Sequence, residues 1–175
     1  MEQQEDEIIN KVSNSSLITF DLEEYYEAGD RVLLDIKDQL YEGLILKEKD
    51  FREFIKTHNW PSYQDKLVAI TCSEDAIVPT WAYMLVAIAL QPFAKKVEFG
   101  TLDDLEERLF QEALSKVDWD QFRNAKVVVK GCSKVNVPAS AYVLTVSKLQ
   151  PIVSSLMFGE ACSTVPLYKR KSKSE

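Results

Sequence analysis

Three cysteines, Cys72, Cys132 and Cys162, have the clearest capacity for chemistry, because a thiolate is both a nucleophile and a ligand for soft metals. Each cysteine is followed directly by serine and, a few residues later, by a Val-Pro pair. If the three side chains converge, they would suit zinc or an iron–sulfur cluster, with the fourth position left to a partner or a substrate. The first hypothesis is therefore a metal or cluster site formed by these three residues.

Packing offers a second explanation for the same cysteines. Free cysteine is among the most buried residue types and behaves as a small apolar side chain. A duplicated fold would also repeat a packing cysteine without any need for chemistry. No two of the three are spaced as Cys-x-x-Cys, so the sequence contains no local zinc signature. Both explanations stay open.

A thiol-dependent enzyme is a third hypothesis, in which Glu74 or Asp75 would act as a base beside Cys72. Acids in such a loop more often serve solubility and favour the helix that follows. His58 is the only histidine; it lies near a predicted helix end, and no Gly-x-Ser-x-Gly motif supports serine catalysis. The sequence also lacks the glycine-rich phosphate loops, so common nucleotide binding is not expected. We therefore favour a protein that is not an enzyme.

An internal repeat organises the elements that must position these residues. Segment Val78–Pro92 matches Val137–Pro151 at an offset of 59 residues (151 − 92 = 59). Around the first two cysteines the offset is 60 (132 − 72 = 60), so the connecting loop is one residue shorter in the second copy. The two copies cover about residues 40–95 and 97–154, which indicates a tandem duplication. Aromatic residues repeat with it and are expected to pack in the core: Trp60 with Trp119, and Tyr83 with Tyr142.

Each copy predicts the order strand, helix, strand, helix. The pattern indicates strands at 43–46, 67–71, 96–99 and 126–130, and helices at 50–58, 79–90, 101–116 and 138–150. The N-terminal stretch adds a helix near Glu7–Val12 and strands near Leu17–Asp21 and Arg31–Ile36, and Leu156–Glu160 is a further strand. Alternating strands and helices predict an α/β fold: one domain, residues 1–168, with a mostly parallel sheet and helices on both faces. Residues 169–175 are predicted to be a disordered tail.

One predicted helix, Trp81–Leu90, is apolar nearly all round, whereas its repeat counterpart Ser140–Gln150 carries several polar side chains. A helix that is apolar on every side is either buried within its own chain or packed at a subunit contact. The sequence therefore leaves two alternatives for this helix, burial or a homodimer interface.

Composition and charge narrow the classes of partner. The chain has 175 residues, of which 46 % are hydrophobic, and this is enough to bury a core without disulfides. A formal net charge of −7 argues against a nucleic-acid face. Met1–Glu7 is acidic, so no signal peptide is expected, and the apolar run Ile77–Ala94 contains two prolines and is short for a membrane span. We expect a cytoplasmic protein with protein partners and no membrane or nucleic-acid partner.

Three segments, Leu46–Phe54, Cys72–Leu85 and Phe158–Tyr168, resemble a family of bacterial proteins classed as domain of unknown function 2480. The resemblance extends over nearly the whole chain, from Ile8 to Tyr168. It implies a genomic setting near iron–sulfur cluster assembly genes, which would favour the thiol site, but it supplies no catalytic residues. Two hypotheses lead: an accessory protein for iron–sulfur or metal traffic, and a homodimeric interaction scaffold whose cysteines are structural.

Overall fold

A computed structural model of the chain describes residues 17–131, 133–160 and 162–171. Over these residues the chain forms four α-helices and seven strands. This confirms the α/β fold class that the sequence predicted. Tertiary contacts divide it into two compact units. Unit 1 comprises the described residues of 17–26 and 114–171, and unit 2 is Glu27–Ala113.

Unit 2 is built on three parallel strands in the order β2-β3-β4. The strands are β2 (Arg31–Asp35), β3 (Leu67–Thr71) and β4 (Lys96–Phe99), and the helices are α1 (Glu48–Thr57), α2 (Thr80–Leu90) and α3 (Leu102–Ser115), whose last two residues belong to unit 1. The central strand β3 is buried at its first four positions, which is what its unbroken apolar run predicts.

Helices cover both faces of this sheet, as predicted. Residues of α1 and α2 form one core cluster with Val68 and Ile70 of β3. Leu105 and Leu109 of α3 form another with Leu67, and alternate residues of a strand point to opposite faces. Thr101 caps the first turn of α3: its Oγ1 accepts from the backbone N–H of Asp104 at 3.2 Å.

Unit 1 contains a four-stranded sheet in the order β1-β5-β6-β7. Its elements are β1 (Leu17–Phe20), β5 (Lys126–Val129), α4 (Ala139–Leu149), β6 (Ser155–Glu160) and β7 (Ser163–Lys169). The first three strands are parallel, and β7 turns back to pair antiparallel with β6. The predicted strands near Leu17–Asp21, Arg31–Ile36 and Leu156–Glu160 are all confirmed.

The described strands form two sheets, one in each unit, where the sequence analysis expected one mostly parallel sheet. Each repeat acquires its own partner strand from the N-terminal part of the chain, because β1 pairs with β5 and β2 pairs with β3. Both units nevertheless share the order of strand, helix and strand: β3-α2-β4 in one and β5-α4-β6 in the other. This is the arrangement that the predicted duplication would produce, and the duplication itself remains our interpretation of the sequence.

Local predictions need three corrections. The segment 43–46 is a turn with isolated bridges at Ile45, not a strand, because Glu42 and Gly43 adopt left-handed φ values of 52° and 70°. Strand β7 was not predicted. Lys169 ends β7 and Arg170 donates to Asn124 Oδ1 at 2.7 Å, so the predicted disorder is corrected for these two residues. The predicted N-terminal helix and residues 172–175 lie outside the described residues.

A comparison of the two repeats identifies a buried hydroxyl that we expect to destabilise unit 1. Thr145 of α4 is fully buried, and its Oγ1 has no hydrogen-bond partner among the described residues. Its repeat counterpart in α2 is Val86 (145 − 59 = 86), which is equally buried. We expect Thr145→Val to raise the free energy of unfolding by about 1–2 kcal/mol, because an unpaired buried hydroxyl is removed without a change in shape. Urea unfolding measures this difference.

The reciprocal change, Val86→Thr, is the matched control. It introduces a hydroxyl at the same helix position in the other unit, and we expect it to lower the free energy of unfolding by about 1–3 kcal/mol. A lower stability for Thr145→Val would show that the hydroxyl has a partner after all.

Candidate functional site

The carboxyl end of the unit 2 sheet carries the first of the predicted cysteines. Cys72 follows β3 directly and is half-buried. Its thiol donates to the backbone carbonyl of Glu74 at 3.7 Å, and the loop 73–79 then leads to α2. Glu74 and Asp75 are exposed in this loop.

Asp35, which the sequence analysis did not single out, holds this loop against the end of β2. Its Oδ2 accepts from Ser73 Oγ at 2.5 Å, and its Oδ1 accepts from the backbone N–H groups of Ser73 at 3.1 Å and Lys37 at 3.0 Å. Partial burial raises the pKa of Asp35, but these hydrogen bonds outweigh burial and keep the pKa below its usual value. The sequence signal that could have identified Asp35 is its position, an acid directly after the apolar residues of β2.

Tyr83 lies in the first turns of α2, near the same end of the sheet. Burial raises the pKa of Tyr83, and the nearby Cys72 and Asp35 raise it further. The phenol therefore stays protonated at neutral pH, while the Asp35 carboxylate is held ionised by its donors. This set offers hydrogen-bond donors and an anchored carboxylate, but Asp35 is a weak base because its pKa is low.

The other two cysteines lie away from this set in the chain. Cys162 belongs to unit 1, is exposed, and directly precedes β7. Cys132 lies outside the described residues. Within the described part of the chain, no group of three His, Cys, Asp or Glu side chains is arranged to hold a metal ion. A metal site shared by Cys72, Cys132 and Cys162 therefore stays a prediction.

His58 has a structural position. It ends α1, as predicted, and its backbone N–H donates to the carbonyl of Phe54 at 2.9 Å. Its ring packs against Trp60 with 4.5 Å between centroids, and its Nε2 lies 3.2 Å from the hydroxyl of Tyr63. Burial lowers the pKa of His58, so the ring is neutral at pH 7.

The second candidate site is an apolar surface on α2. Three large side chains define what we call the α2 surface: Met84 is 61 % exposed, Ile88 is 67 % exposed, and Phe99 of the neighbouring strand β4 is 64 % exposed. An open groove of about 440 Å³ runs between α2 and β4, and Met84 and Phe99 line it. The opposite side of α2 is buried through Ala82, Val86 and Leu90.

The repeat provides an internal comparison for this surface. At the offset of 59 residues, Met84 corresponds to Val143 and Ile88 corresponds to Ser147 on α4. Both α4 residues are also exposed, and Lys148 beside them adds a charge. The outward side of α4 is thus partly polar, whereas the outward side of α2 carries no charge between Thr80 and Leu90. Of the two alternatives left by the sequence, the exposure of Met84 and Ile88 disfavours burial of α2 on all sides, and a homodimer interface stays a prediction.

Comparison with known proteins gives a family but no activity. A family model described as "Protein of unknown function (DUF2480)" matches residues 6–170. No curated protein and no solved structure matches the chain. Among the described residues, none of the helices has the length and apolar character needed to cross a membrane.

Proposed function

The chain belongs to the DUF2480 family of proteins of unknown function, and from its own surface we propose that it is a cytoplasmic, non-catalytic interaction scaffold that acts as a homodimer. The observation that carries this proposal is the α2 surface. Contiguous exposed apolar side chains mark sites of protein contact, and two-fold dimers are the commonest assemblies of soluble chains.

The energetics favour covering this surface. Full burial of a Met, Ile or Phe side chain contributes about 1.5–3 kcal/mol relative to exposure. Met84, Ile88 and Phe99 are each more than 60 % exposed, so most of that contribution is still available to a partner. The equivalent helix α4 has Ser147 where α2 has Ile88, so the fold itself does not require an apolar residue at this position.

The chemistry near Cys72 supports a non-catalytic role. Asp35, which the hydrogen bonds of Ser73 tie to the loop, has a lowered pKa and is therefore a weak base. Tyr83 stays protonated because its pKa is raised. Neither group is tuned to take a proton from a thiol near neutral pH, as a catalytic base should be.

Sedimentation equilibrium of the purified protein tests the proposal. We expect a species of twice the 20.0 kDa chain mass at micromolar concentration, with dissociation on dilution. A single species of 20.0 kDa at all concentrations up to about millimolar would reject the homodimer, since that limit corresponds to about −4 kcal/mol of association.

A second proposal keeps the thiols as ligands for zinc or an iron–sulfur cluster, with a role in cluster assembly. Neither described cysteine is fully buried, since Cys72 is half-buried and Cys162 is exposed. The exposure of Cys162 favours reactivity or ligation over packing, whereas Cys72 also packs against the core of unit 2.

Metal analysis tests the second proposal. We expect protein purified without oxygen to contain stoichiometric iron or zinc, and Cys72→Ser, Cys132→Ser and Cys162→Ser each to remove it, because one shared site needs all three thiolates. Elemental analysis and the visible absorption spectrum measure this. Protein that stays colourless and metal-free after reconstitution with iron, sulfide and zinc would reject the site.

A further inference from the structure

We propose that β4 is the central contact of the dimer: β4 of one copy pairs antiparallel with β4 of a second copy and extends the unit 2 sheet across a two-fold axis. This inference rests on the homodimer proposed above. It adds the sheet edge that is used, the register of the two strands, and the way in which the α2 surface becomes covered.

Unit 1 shows what this edge can accept. Strand β4 is the last strand of its sheet among the described residues, whereas its repeat counterpart β6 (155 − 96 = 59) carries β7 on the corresponding side. The pairing of β7 with β6 is antiparallel from Ser155 to Glu160. In the described part of the chain, equivalent sheet edges are therefore occupied by an antiparallel strand in unit 1 and by no strand in unit 2.

The grooves beside the two strands match. In unit 2 the groove beside α2 is lined by Tyr83 and Phe99, whose rings meet edge to face with 4.9 Å between centroids. In unit 1 the corresponding groove, of about 380 Å³, contains the equivalent edge-to-face pair Tyr142 and Phe158, and Leu167 of β7 also lines it. An added strand thus contributes side chains to this kind of groove.

The backbone of β4 has groups available for such pairing. The N–H groups of Lys96 and Gly100 point toward β3, since they donate to the carbonyls of Lys66 at 3.4 Å and Ile70 at 2.9 Å. Backbone groups alternate in direction along a strand, so the N–H and C=O of Val97 point away from β3. An antiparallel neighbour centred on Val97 would exchange both hydrogen bonds with it.

Charge distinguishes the open edge from the covered one. Lys96 and Glu98 of β4 point to the α3 side, where Lys96 pairs with Glu112 and Glu98 lies 3.6 Å from Arg108. The matching positions on β6 are the uncharged Ser155 and Met157. Charged side chains on an edge strand discourage indiscriminate pairing. One charge of each sign, two residues apart, still admits an antiparallel strand with the same pattern.

The charges select one register. Residues directly opposite each other in a sheet share a face, so Lys96 can oppose only Lys96 or Glu98 of the second β4, or Gly100 directly after it. Pairing Val97 with its own equivalent places Lys96 opposite Glu98 of the second copy, and does so twice. The neighbouring registers place Lys96 opposite Lys96 or Glu98 opposite Glu98, and like charges in that position are destabilising.

This register also brings the α2 surfaces together. An antiparallel pair of identical strands has its two-fold axis perpendicular to the sheet, so the same face of the sheet continues from one copy into the other. The two α2 helices then lie side by side on that face. Val97 and Phe99 of β4 lie at the joint on that face, and Met84 of α2 lines the groove beside them.

Two single charge reversals, Lys96→Glu and Glu98→Lys, test the pairing. In a dimer of either variant alone, like charges face each other at both cross-strand pairs. We expect that dimer to be roughly 10- to 100-fold weaker by sedimentation equilibrium. When the two variants pair with each other, unlike charges face each other again at both positions. We therefore expect an equimolar mixture to form a one-to-one heterodimer about as tight as the parent dimer. Circular dichroism verifies that each variant is folded.

A third variant tests the same edge without charge. Val97→Pro removes the outward N–H of β4 and leaves the bonds to β3 intact, a position at which edge strands tolerate proline. We expect loss of the dimer. If all three variants still dimerise with the affinity of the parent protein, the edge pairing is overturned and the homodimer stands. If the parent protein is a monomer, the edge pairing and the homodimer are both overturned.

Discussion

Met84→Lys combined with Ile88→Lys is expected to convert the proposed dimer to a monomer and to raise its dissociation constant by at least about 100-fold. Both side chains are more than 60 % exposed on the outward side of α2, so the substitutions leave the core of unit 2 intact. Each buried apolar side chain contributes about 1.5–3 kcal/mol, and both subunits lose two of them. Sedimentation equilibrium measures the change.

The repeat supplies a matched control for this prediction. Val143→Lys combined with Ser147→Lys places the same charges at the same positions of α4 in unit 1. We expect the control to keep the affinity of the parent within about threefold, because surface substitutions away from an interface change free energies by less than about 0.5 kcal/mol. Equal losses in both double variants would point to net charge rather than to the α2 surface.

Gly159→Ala is expected to lower the free energy of unfolding by about 3–5 kcal/mol. Gly159 has a φ of +122°, which a residue with a side chain rarely adopts. A Cβ at this position would also lie 2.5 Å from the backbone carbonyl oxygen of Ser163, on the antiparallel strand β7. The backbone of β7 cannot move away without losing its pairing with β6. Thermal and urea unfolding measure the loss.

Gly100→Ala is the control for that prediction, because Gly100 is the repeat counterpart of Gly159 (159 − 100 = 59). It has a similar φ of +130°, but the nearest atom to an added Cβ is Oδ2 of the Asp104 side chain. The Cβ of Asp104 would also lie 2.8 Å away, so the exposed first turn of α3 must shift, but no strand pairing is lost. We therefore expect a smaller loss of about 1–3 kcal/mol. Equal losses would mean that the conformational strain alone, and not the contact with β7, determines the effect.

The candidate sites could be located from sequence only in part. The repeat pointed to Cys72, because a cysteine recurs at the matching place in the second copy. It also pointed to the apolar character of α2, because the matching helix α4 is more polar. Asp35 could not be identified in the same way. Its importance depends on Ser73, which is 38 residues away, and on the hydrogen bonds that parallel pairing of β2 with β3 allows.

The sequence by itself determined the identity of most strands and helices, because the apolar period and the capping residues are local properties of the chain. β3 and β5 are recognisable as buried strands from their composition alone. Only the tertiary structure decided which strands pair. Apolar strands of similar length can exchange partners without a change in local pattern, so nothing local distinguished one sheet from the two that form.

The exposure of a face is also a tertiary property, because it depends on how many other elements cover it. α2 and α4 have equivalent positions in the chain, and both bury one side against a sheet. β6 is covered by β7, while β4 has no such neighbour among the described residues. The sequence therefore determined that α2 is apolar, and the tertiary structure decided that its apolar side faces outward.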